Sequence, residues 1–329
     1  MCLLKVELFT KIIFVENIKN IVNIKYIKIQ NNELMMEQPL LNRSEIVVLQ
    51  PSSLKESLKL LNENPDAEII ANASDLWPRI RNGEVKPKKL LDISGLAGEL
   101  SYVKKDGNLI KIGALVTVSQ LEGESILKEK RFSGFKDVIA KFGSPQIRNV
   151  ATIGGNVCAA SSSEDFIPLL LAFNAKVKLS SVDGERYVNL EKFIIGKRKI
   201  NRRPNEILTE ISFEDPGEGY GSAFEKIGRR NTLIINIVNM AVVGKVKDGK
   251  IEDVRIAANR IKGKIPERAK NTEEFLKGKA LNEETIAGAK KVLSEEVSLT
   301  DDFRASAEYR KALLLAMLER LLFKLRGEQ

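Results

Sequence analysis

The segment from Gly143 to Asn156 constrains this chain more than any other stretch, because it gathers glycine and small polar residues in one place. It reads GSPQIRNVATIGGN, and the adjacent Gly154 and Gly155 can adopt backbone angles that other residues avoid. Successive N–H groups in such a turn can converge on one anionic oxygen, and Thr152 and Asn156 add short hydrogen-bonding side chains. The segment therefore predicts a loop suited to a pyrophosphate. Two adjacent glycines alone are more often an ordinary turn, and neither the G-x-G-x-x-G nor the P-loop spacing is present.

The complete absence of histidine excludes whole classes of chemistry. Ser-His-Asp catalysis, histidine metal sites and histidine acid–base chemistry all depend on that residue. The two cysteines, Cys2 and Cys158, are too few for a disulfide scaffold or for an iron–sulfur cluster, which needs about four thiolates. Any reaction in which this chain takes part is therefore expected to use the chemistry of a bound cofactor.

The net charge of +9 leaves two interpretations open. It can attract nucleic acid or an acidic partner, or it can be the mild bias of a solvated Lys/Glu-rich surface. Nucleic-acid binding is unfavoured, because the chain has no aromatic stacking motif. Its basic residues are concentrated only at Lys197-Arg-Lys199 with Arg202-Arg203.

The length of 329 residues predicts two or three domains. No stretch approaches the roughly 18 apolar residues of a membrane span, and charged residues such as Lys5, Glu7 and Lys11 interrupt any secretory signal. A cytoplasmic location is therefore expected. Residues 1–40 are interpreted as an N-terminal extension that is poorly ordered or not native, the alternative being a short hairpin that pairs with the body.

From residue 45 onward, short apolar runs alternate with helical patterns. Strands are predicted over Ile46–Leu49, Ala67–Ala71, Leu90–Ile93, Leu109–Ile112 and Ala175–Leu179. Helices are predicted after the capping box Ser53-Leu-Lys-Glu56, over Phe135–Phe142 and over Asp165–Phe173. This mixture predicts an α+β or α/β core up to about residue 215.

A different pattern follows the segment Asp215-Pro-Gly-Glu-Gly219, which is interpreted as a linker. Three antiparallel strands are predicted over Ser222–Ile227, Ile237–Val246 and Lys250–Ala258, and Asp248-Gly249 forms the turn between the last two. Amphipathic helices are predicted near Pro266–Leu276, Glu283–Val297 and Ala305–Leu325.

Several specific strings occur here in one order: SPQIRN-x-ATIGGN, Asp165, Glu206–Ile211, Gly228-Arg-Arg230 and Arg304–Arg310. On these strings the chain, from about Ile46 to its C-terminus, resembles the FAD-binding medium subunit of the xanthine dehydrogenase and carbon monoxide dehydrogenase (molybdenum hydroxylase) family. The resemblance implies an α+β fold: a two-lobed, vanillyl-alcohol-oxidase-like FAD-binding domain over residues 41–216, split near 100–115. A three-stranded antiparallel sheet packed on helices would follow over residues 220–329.

The same resemblance implies FAD as the cofactor and assigns residues to it. The backbone of the TIGGN string would hold the FAD pyrophosphate, and this string is Thr152, Ile153, Gly154, Gly155 and Asn156. Phe142, Asp165 and Leu208 stand where the family has further cofactor contacts. Lys226 lies one position from a family lysine, whose place Glu225 occupies. Without the resemblance, Asp165 would be interpreted as a helix cap, and Phe142 and Leu208 as core residues.

The chain departs from the family in its first phosphate loop, which is usually Ala-Gly-Gly-Thr-Asp-Leu. The matching residues are Ala71, Asn72, Ala73, Ser74, Asp75 and Leu76, so both glycines are replaced. Asparagine tolerates the left-handed backbone region, whereas alanine adopts it at a penalty of roughly 1 kcal/mol. The added Cβ atoms would also approach the phosphates. The replacement leaves open whether FAD binding persists.

The resemblance further implies an electron-transfer role within a heteromeric complex. A large subunit would carry the molybdenum cofactor and a small subunit two [2Fe–2S] clusters, in a dimer of heterotrimers, with FAD passing electrons to an acceptor. The alternative, motivated by Asn72-Ala73, is a cofactor-poor assembly subunit of the same type of complex.

Overall fold

A computed structural model describes residues 46–326, except 231, 232, 234, 263 and 264. The predicted extension over residues 1–40 lies outside these residues. From Val48 onward the described chain belongs to one compact unit. Within the described ranges, no helix combines the length and the apolar character needed to cross a membrane.

The first lobe alternates short strands and helices, namely β1 (Val47–Leu49), α1 (Leu54–Glu63), β2 (Glu68–Ile70), α2 (Leu76–Arg81), β3 (Lys89–Asp92) and α3 (Ala97–Leu100). The strand order is β1-β3-β2, and β2 and β3 run parallel. Ser53 caps α1 by accepting the N–H of Glu56, as predicted. The Glu56 carboxylate accepts from Ser52 instead of Ser53, so only half of the predicted capping box forms.

The second lobe is built on a five-stranded antiparallel sheet in the order β4-β5-β10-β6-β7. Its elements are β4 (Val103–Asp106), β5 (Leu109–Gly113), α4 (Val118–Gly123), α5 (Ser133–Lys141), α6 (Pro145–Val150), α7 (Ile153–Ala159), α8 (Phe166–Ala172), β6 (Lys176–Ser181), β7 (Gly184–Asn189), α9 (Leu190–Phe193), β8 (Ile194–Gly196), β9 (Lys199–Ile200) and β10 (Ile207–Glu214). Phenylalanines fill the core between sheet and helices, and the rings of Phe173 and Phe213 stack with centroids 4.7 Å apart.

The C-terminal part contains β11 (Tyr220–Ile227), β12 (Val238–Lys247), β13 (Lys250–Lys262), β14 (Ile265–Arg268), α10 (Lys270–Leu276), α11 (Glu283–Glu296) and α12 (Ala307–Arg326). The α+β class is confirmed, but the predicted three-stranded sheet is wrong in its strand number, because β14 adds a fourth strand beside β13. The sequence predicts a helix from about Pro266, so its first residues up to Arg268 are wrongly predicted. Pro266 is tolerated there because an edge strand pairs on one side only, and the helix begins at Lys270.

Both faces of the C-terminal sheet are buried. Because successive side chains of a strand point to opposite faces, the same strand contributes to two hydrophobic cores. On β12, Met240 and Val242 face the cluster formed with α10, α11 and α12. Ala241 and Val243 point the other way and join the core of the second lobe. One face of the sheet therefore packs directly on the second lobe, which contains α8.

The predicted hairpin turn at Asp248-Gly249 forms between β12 and β13. Gly249 has φ of +72°, and a Cβ built there meets no atom within 4 Å. We expect Gly249→Ala to lower the free energy of unfolding by about 1 kcal/mol, because alanine disfavours the left-handed region. Gly98→Ala is the control: its surroundings are equally open, but it lies in α3, where alanine is favoured by up to about 1 kcal/mol. Urea unfolding of both variants should give opposite signs, and equal effects would contradict this account.

Candidate cofactor site

A cleft of about 750 Å³ brings together the loop after β2, the end of α5, the α6–α7 segment, the β8–β9 hairpin and the first residues of β10. Most of the predicted site residues line it. They are Asn72, Ala73, Ser74, Asp75, Leu76, Phe142, Thr152, Gly154, Gly155, Asn156 and Leu208. Three predicted residues, Ile153, Asp165 and Lys226, do not line the cleft.

The predicted loop over 143–156 is wrong in its conformation, because it folds into the two short helices α6 and α7. Thr152 is the N-cap of α7, and its Oγ1 accepts the N–H of Gly155 at 3.1 Å. Neither Gly154 nor Gly155 has a positive φ. Gly154 is needed for close packing instead, because a Cβ there would lie 2.6 Å from the carbonyl oxygen of Ala114.

The first amides of α7 are already engaged by the protein. Ile153 N donates to Val116 O and Gly154 N donates to Ala114 O, both at 3.0 Å. These bonds fasten α7 to the segment that follows β5, and Ile153 itself is fully buried. The converging N–H groups predicted for this segment are therefore used within the fold. What α7 offers the cleft is the exposed Cα of Gly155 and the side chains of Thr152 and Asn156.

The loop after β2 provides the unengaged amides. Within the described ranges, the N–H groups of Asn72, Ala73 and Ser74 have no protein acceptor. Ala73 has φ of +61°, so it occupies the left-handed region that the family's glycine would favour. Asn72 Nδ2 donates to Val150 O at 2.9 Å, which ties this loop to the end of α6. The loop thus combines one left-handed residue with three unengaged amides, although it contains no glycine.

Arg198 was missed as a site residue, although it lies in the basic run noted in the sequence. It stands in the β8–β9 turn with φ of +59°, and it binds both carboxylate oxygens of Asp75 at 2.7 and 2.9 Å. Its Nη1 also donates to Ala159 O at 3.1 Å. A single guanidinium therefore joins the first loop, α7 and the hairpin around the cleft.

Asp165 and Lys226 form a buried ion pair behind the cleft wall. Lys226 Nζ lies 2.5 Å from Asp165 Oδ2, and the two side chains are 5% and 6% exposed. Asn236 and Asn239 donate to the other carboxylate oxygen at 3.3 and 3.2 Å. Burial raises the pKa of Asp165 above its ordinary value, and Lys226 opposes that shift.

The partners of Asp165 come from the C-terminal sheet. Lys226 on β11 is the register partner of Asn239 on β12, and Asn239 also contacts Glu164 O, as does Asn259 on β13. Asn236 contacts Ser163 O at 3.1 Å. A row of polar side chains thus holds the 163–165 segment at the start of α8 and fixes it against the cleft.

Glu164 also lines the cleft and was not predicted. Asn156 Nδ2 donates to its Oε2. Burial raises the pKa of Glu164 from 4.5 to about 8, the Asp75 and Asp165 carboxylates add to the shift, and Arg198 and Lys226 oppose it. The only sequence signal was its position beside Asp165, just before the apolar run that begins at Phe166.

Phe142, Leu208 and Cys158 supply the apolar wall. Phe142 packs on Phe166 with ring centroids 5.5 Å apart, and Leu208 is 4% exposed, so both also serve the core of the second lobe. Burial raises the pKa of the Cys158 thiol to about 11, which leaves it as an unreactive thiol at neutral pH. This wall suits an uncharged planar group more than a second anion.

Taken together, the cleft combines unengaged backbone amides with an apolar wall, as a site for a dinucleotide-type cofactor would require. Residues 42–213 match the FAD binding domain in molybdopterin dehydrogenase, and residues 222–325 match the CO dehydrogenase flavoprotein C-terminal domain. The chain therefore belongs to the family of FAD-binding medium subunits of molybdenum hydroxylase-type dehydrogenases.

Individual relatives agree over most of the chain. The nicotinate dehydrogenase FAD-subunit of Eubacterium barkeri is 32% identical over 276 residues, covering 82% of this chain and 93% of the relative. The glyceraldehyde dehydrogenase medium chain of Sulfolobus acidocaldarius is 31% identical over 271 residues, covering 82% and 94%. A solved carbon monoxide dehydrogenase chain from Hydrogenophaga pseudoflava matches with a TM-score of 0.81 and 26% identity, covering 86% of this chain and 98% of that chain.

The buried ion pair gives a test of how the cleft wall is held. We expect Lys226→Met to lower the free energy of unfolding by about 3–5 kcal/mol, because it leaves the Asp165 carboxylate buried without its cation. The double variant Lys226→Met/Asp165→Asn should recover much of that loss, since no buried charge remains. Chemical unfolding of both variants measures the difference. A double variant no more stable than Lys226→Met would show that the charge is not what matters.

Glu164 gives a pH-dependent test of stability. Its pKa in the folded protein lies above that of the unfolded chain, so its contribution is fully present below about pH 4.5 and is lost as pH rises through about 8. Glu164→Gln should therefore gain stability over the wild type as pH rises through this window, by up to about 1.4 kcal/mol per pH unit. Unfolding free energies across the window check this, with Glu63→Gln at an exposed carboxylate as control. A pH-independent difference between Glu164→Gln and the wild type would refute it.

Proposed function

We propose that this chain binds FAD in the described cleft and acts as the electron-transfer subunit of a molybdenum hydroxylase-type complex. The observation that supports this most directly is the pairing of two segments across one cleft. The unengaged amides of Asn72, Ala73 and Ser74 lie on one side, and the bare Cα of Gly155 lies on the other. Together these segments can hold a diphosphate without a lysine.

The replaced glycines of the first loop are compatible with this proposal. Ala73 adopts φ of +61°, so it takes a left-handed conformation that a glycine would favour, at the expense of some strain. The Asn72 side chain is engaged by Val150 O at 2.9 Å, which gives it a structural role in the loop. The residues present therefore fit the cofactor, and the cofactor-poor scaffold becomes the less favoured alternative.

When bound, FAD supplies the redox chemistry, taking up electrons from a one-electron donor and delivering them to an acceptor. This chain binds and orients the cofactor. Its amide loop and Thr152 would hold the diphosphate, and Phe142 and Leu208 would exclude water beside the less polar part. Asp165 and Lys226 lie outside the cleft lining, and their ion pair would fix the segment that contains Glu164.

The proposed partners follow from the family. A molybdenum-cofactor large subunit and a [2Fe–2S] small subunit would deliver electrons to this chain, in a cytoplasmic dimer of heterotrimers. This chain has two cysteines and no histidine, so a cluster donor has to be another subunit. Substrate choice would lie in the large subunit.

FAD binding is tested directly on the purified chain. We expect near-ultraviolet and blue absorbance typical of a flavin, released on denaturation in about equimolar amount to the protein. Ala73→Gly should keep FAD binding and raise stability by about 1 kcal/mol, because it relieves the left-handed alanine. Gly155→Val should abolish binding, whereas Gly98→Ala, which does not line the cleft, should not. If neither the wild type nor Asn72→Gly/Ala73→Gly bound FAD on titration, the scaffold alternative would replace this proposal.

A further inference from the structure

Glu164 is the feature of the cleft that the proposed function does not explain. A carboxyl group here lines a site proposed to hold a diphosphate, which is itself anionic. Its Oε2 accepts a hydrogen bond from Asn156, and its Oε1 has no hydrogen-bond partner within the described ranges. An ionised Glu164 would repel the phosphates, whereas a neutral one could donate to them.

The charges around Glu164 are paired without it. Arg198, from the β8–β9 hairpin, binds Asp75 at the start of α2, and Lys226, from β11, binds Asp165 at the start of α8. These two cations are each matched by one carboxylate. Glu164 is left as the third carboxyl group of the cluster, and no cation among the described residues forms an ion pair with it.

The other charged groups of the cleft do not supply that cation. Arg79 on α2 lies 3.7 Å from Asp75 and 3.8 Å from Glu84, so it serves two carboxylates already. Arg202 Nη1 donates to backbone carbonyls, that of Glu206 at 2.8 Å among them. Lys199 also lines the cleft, and within the described ranges no ion pair joins it to Glu164. The thiol of Cys158 lines the cleft as well but carries no positive charge.

A diphosphate placed beside this cluster would favour the protonated, neutral form of Glu164. A like charge nearby disfavours the ionised form of a carboxyl group, and burial acts in the same direction. The neutral acid can keep the Asn156 amide on Oε2 and place its proton on Oε1. That proton can then form an O–H···O⁻ hydrogen bond, which is among the stronger kinds.

We infer that Glu164 is a further contact residue of the cofactor site and that it binds the FAD diphosphate as the neutral carboxylic acid. The inference rests on the proposed function. The proton comes from the solvent, so a chain that starts with Glu164 ionised takes up one proton for each FAD bound. Glu164 thereby makes FAD loading dependent on pH without any histidine.

The pH range follows from the free protein. The pKa of Glu164 is about 8 before the cofactor binds, so FAD affinity should be nearly constant below that value. Above it, affinity should fall by up to tenfold per pH unit, because ionised Glu164 must first be protonated. Proton uptake should be close to zero at pH 6.5 and approach one per FAD near pH 9.5.

The experiment measures FAD affinity of the purified chain between pH 6.5 and 9.5 by flavin fluorescence. Glu164→Gln keeps a hydrogen-bond donor but cannot ionise, so its affinity should be flat and at least tenfold higher than the wild type's at pH 9.5. Glu68→Gln is the matched control, because Glu68 lines the same cleft from β2 with an exposed side chain. It should retain the wild-type profile.

Calorimetry on the wild type tests the inference without any variant. FAD is titrated at pH 9.5 in two buffers of different ionisation enthalpy. Because nearly one proton is taken up from the buffer, the two binding enthalpies should differ by nearly the difference between the buffers' ionisation enthalpies. Equal heats in the two buffers, or identical affinity profiles for wild type and Glu164→Gln, would overturn the inference and leave the proposed function intact. A wild-type chain that bound no FAD at any pH would instead remove the proposed function on which it rests.

Discussion

The cofactor cleft depends on the buried pair of Asp165 and Lys226, because it joins the lobe that contains the cleft to the C-terminal sheet. Their charges lie 2.5 Å apart with side chains 5% and 6% exposed. Removing two such charges from water is unfavourable, and the pairing compensates only when further hydrogen bonds satisfy the carboxylate. Asn236 and Asn239 provide them. The start of α8, and with it Glu164, is therefore positioned by residues that are more than 60 positions away in sequence.

Sequence reasoning succeeded where a local rule decides the structure. Asp248-Gly249 forms the hairpin turn because both residues adopt positive φ, and Ser53 caps α1 by accepting the N–H three residues on. It was wrong where distant packing decides. Gly154 is a glycine because Ala114, 40 positions earlier, leaves no room for a Cβ, and no pattern within 143–156 contains that information. Likewise, Ile265–Arg268 becomes a strand because β13 extends far enough to pair with it.

The first loop shows how a conformation can outlast the residues that usually favour it. Ala73 keeps the left-handed backbone at φ of +61° because bonds on both sides of it fix the loop. The Asn72 side chain donates to Val150 O, and the Arg198 guanidinium donates to both carboxylate oxygens of Asp75. Strained backbone persists only where the surrounding structure over-determines it, and Arg198 itself, with φ of +59°, belongs to the same strained set. The sequence motif is lost at the glycines, yet the unengaged amides remain.

The net charge of +9 has little part in the chemistry of the cleft. Arg198 is neutralised by Asp75 and Lys226 by Asp165, and Glu164 adds a carboxyl group that pairs with no cation in the part of the chain that the structure describes. A diphosphate bound here as proposed would be attracted largely by the backbone dipoles of the loop after β2. Recognition by amides depends on shape more than on salt, since fixed dipoles act only at short range. In the proposed site the protonation of Glu164 would then decide how readily the anion is accepted, in place of the cation that other phosphate sites use.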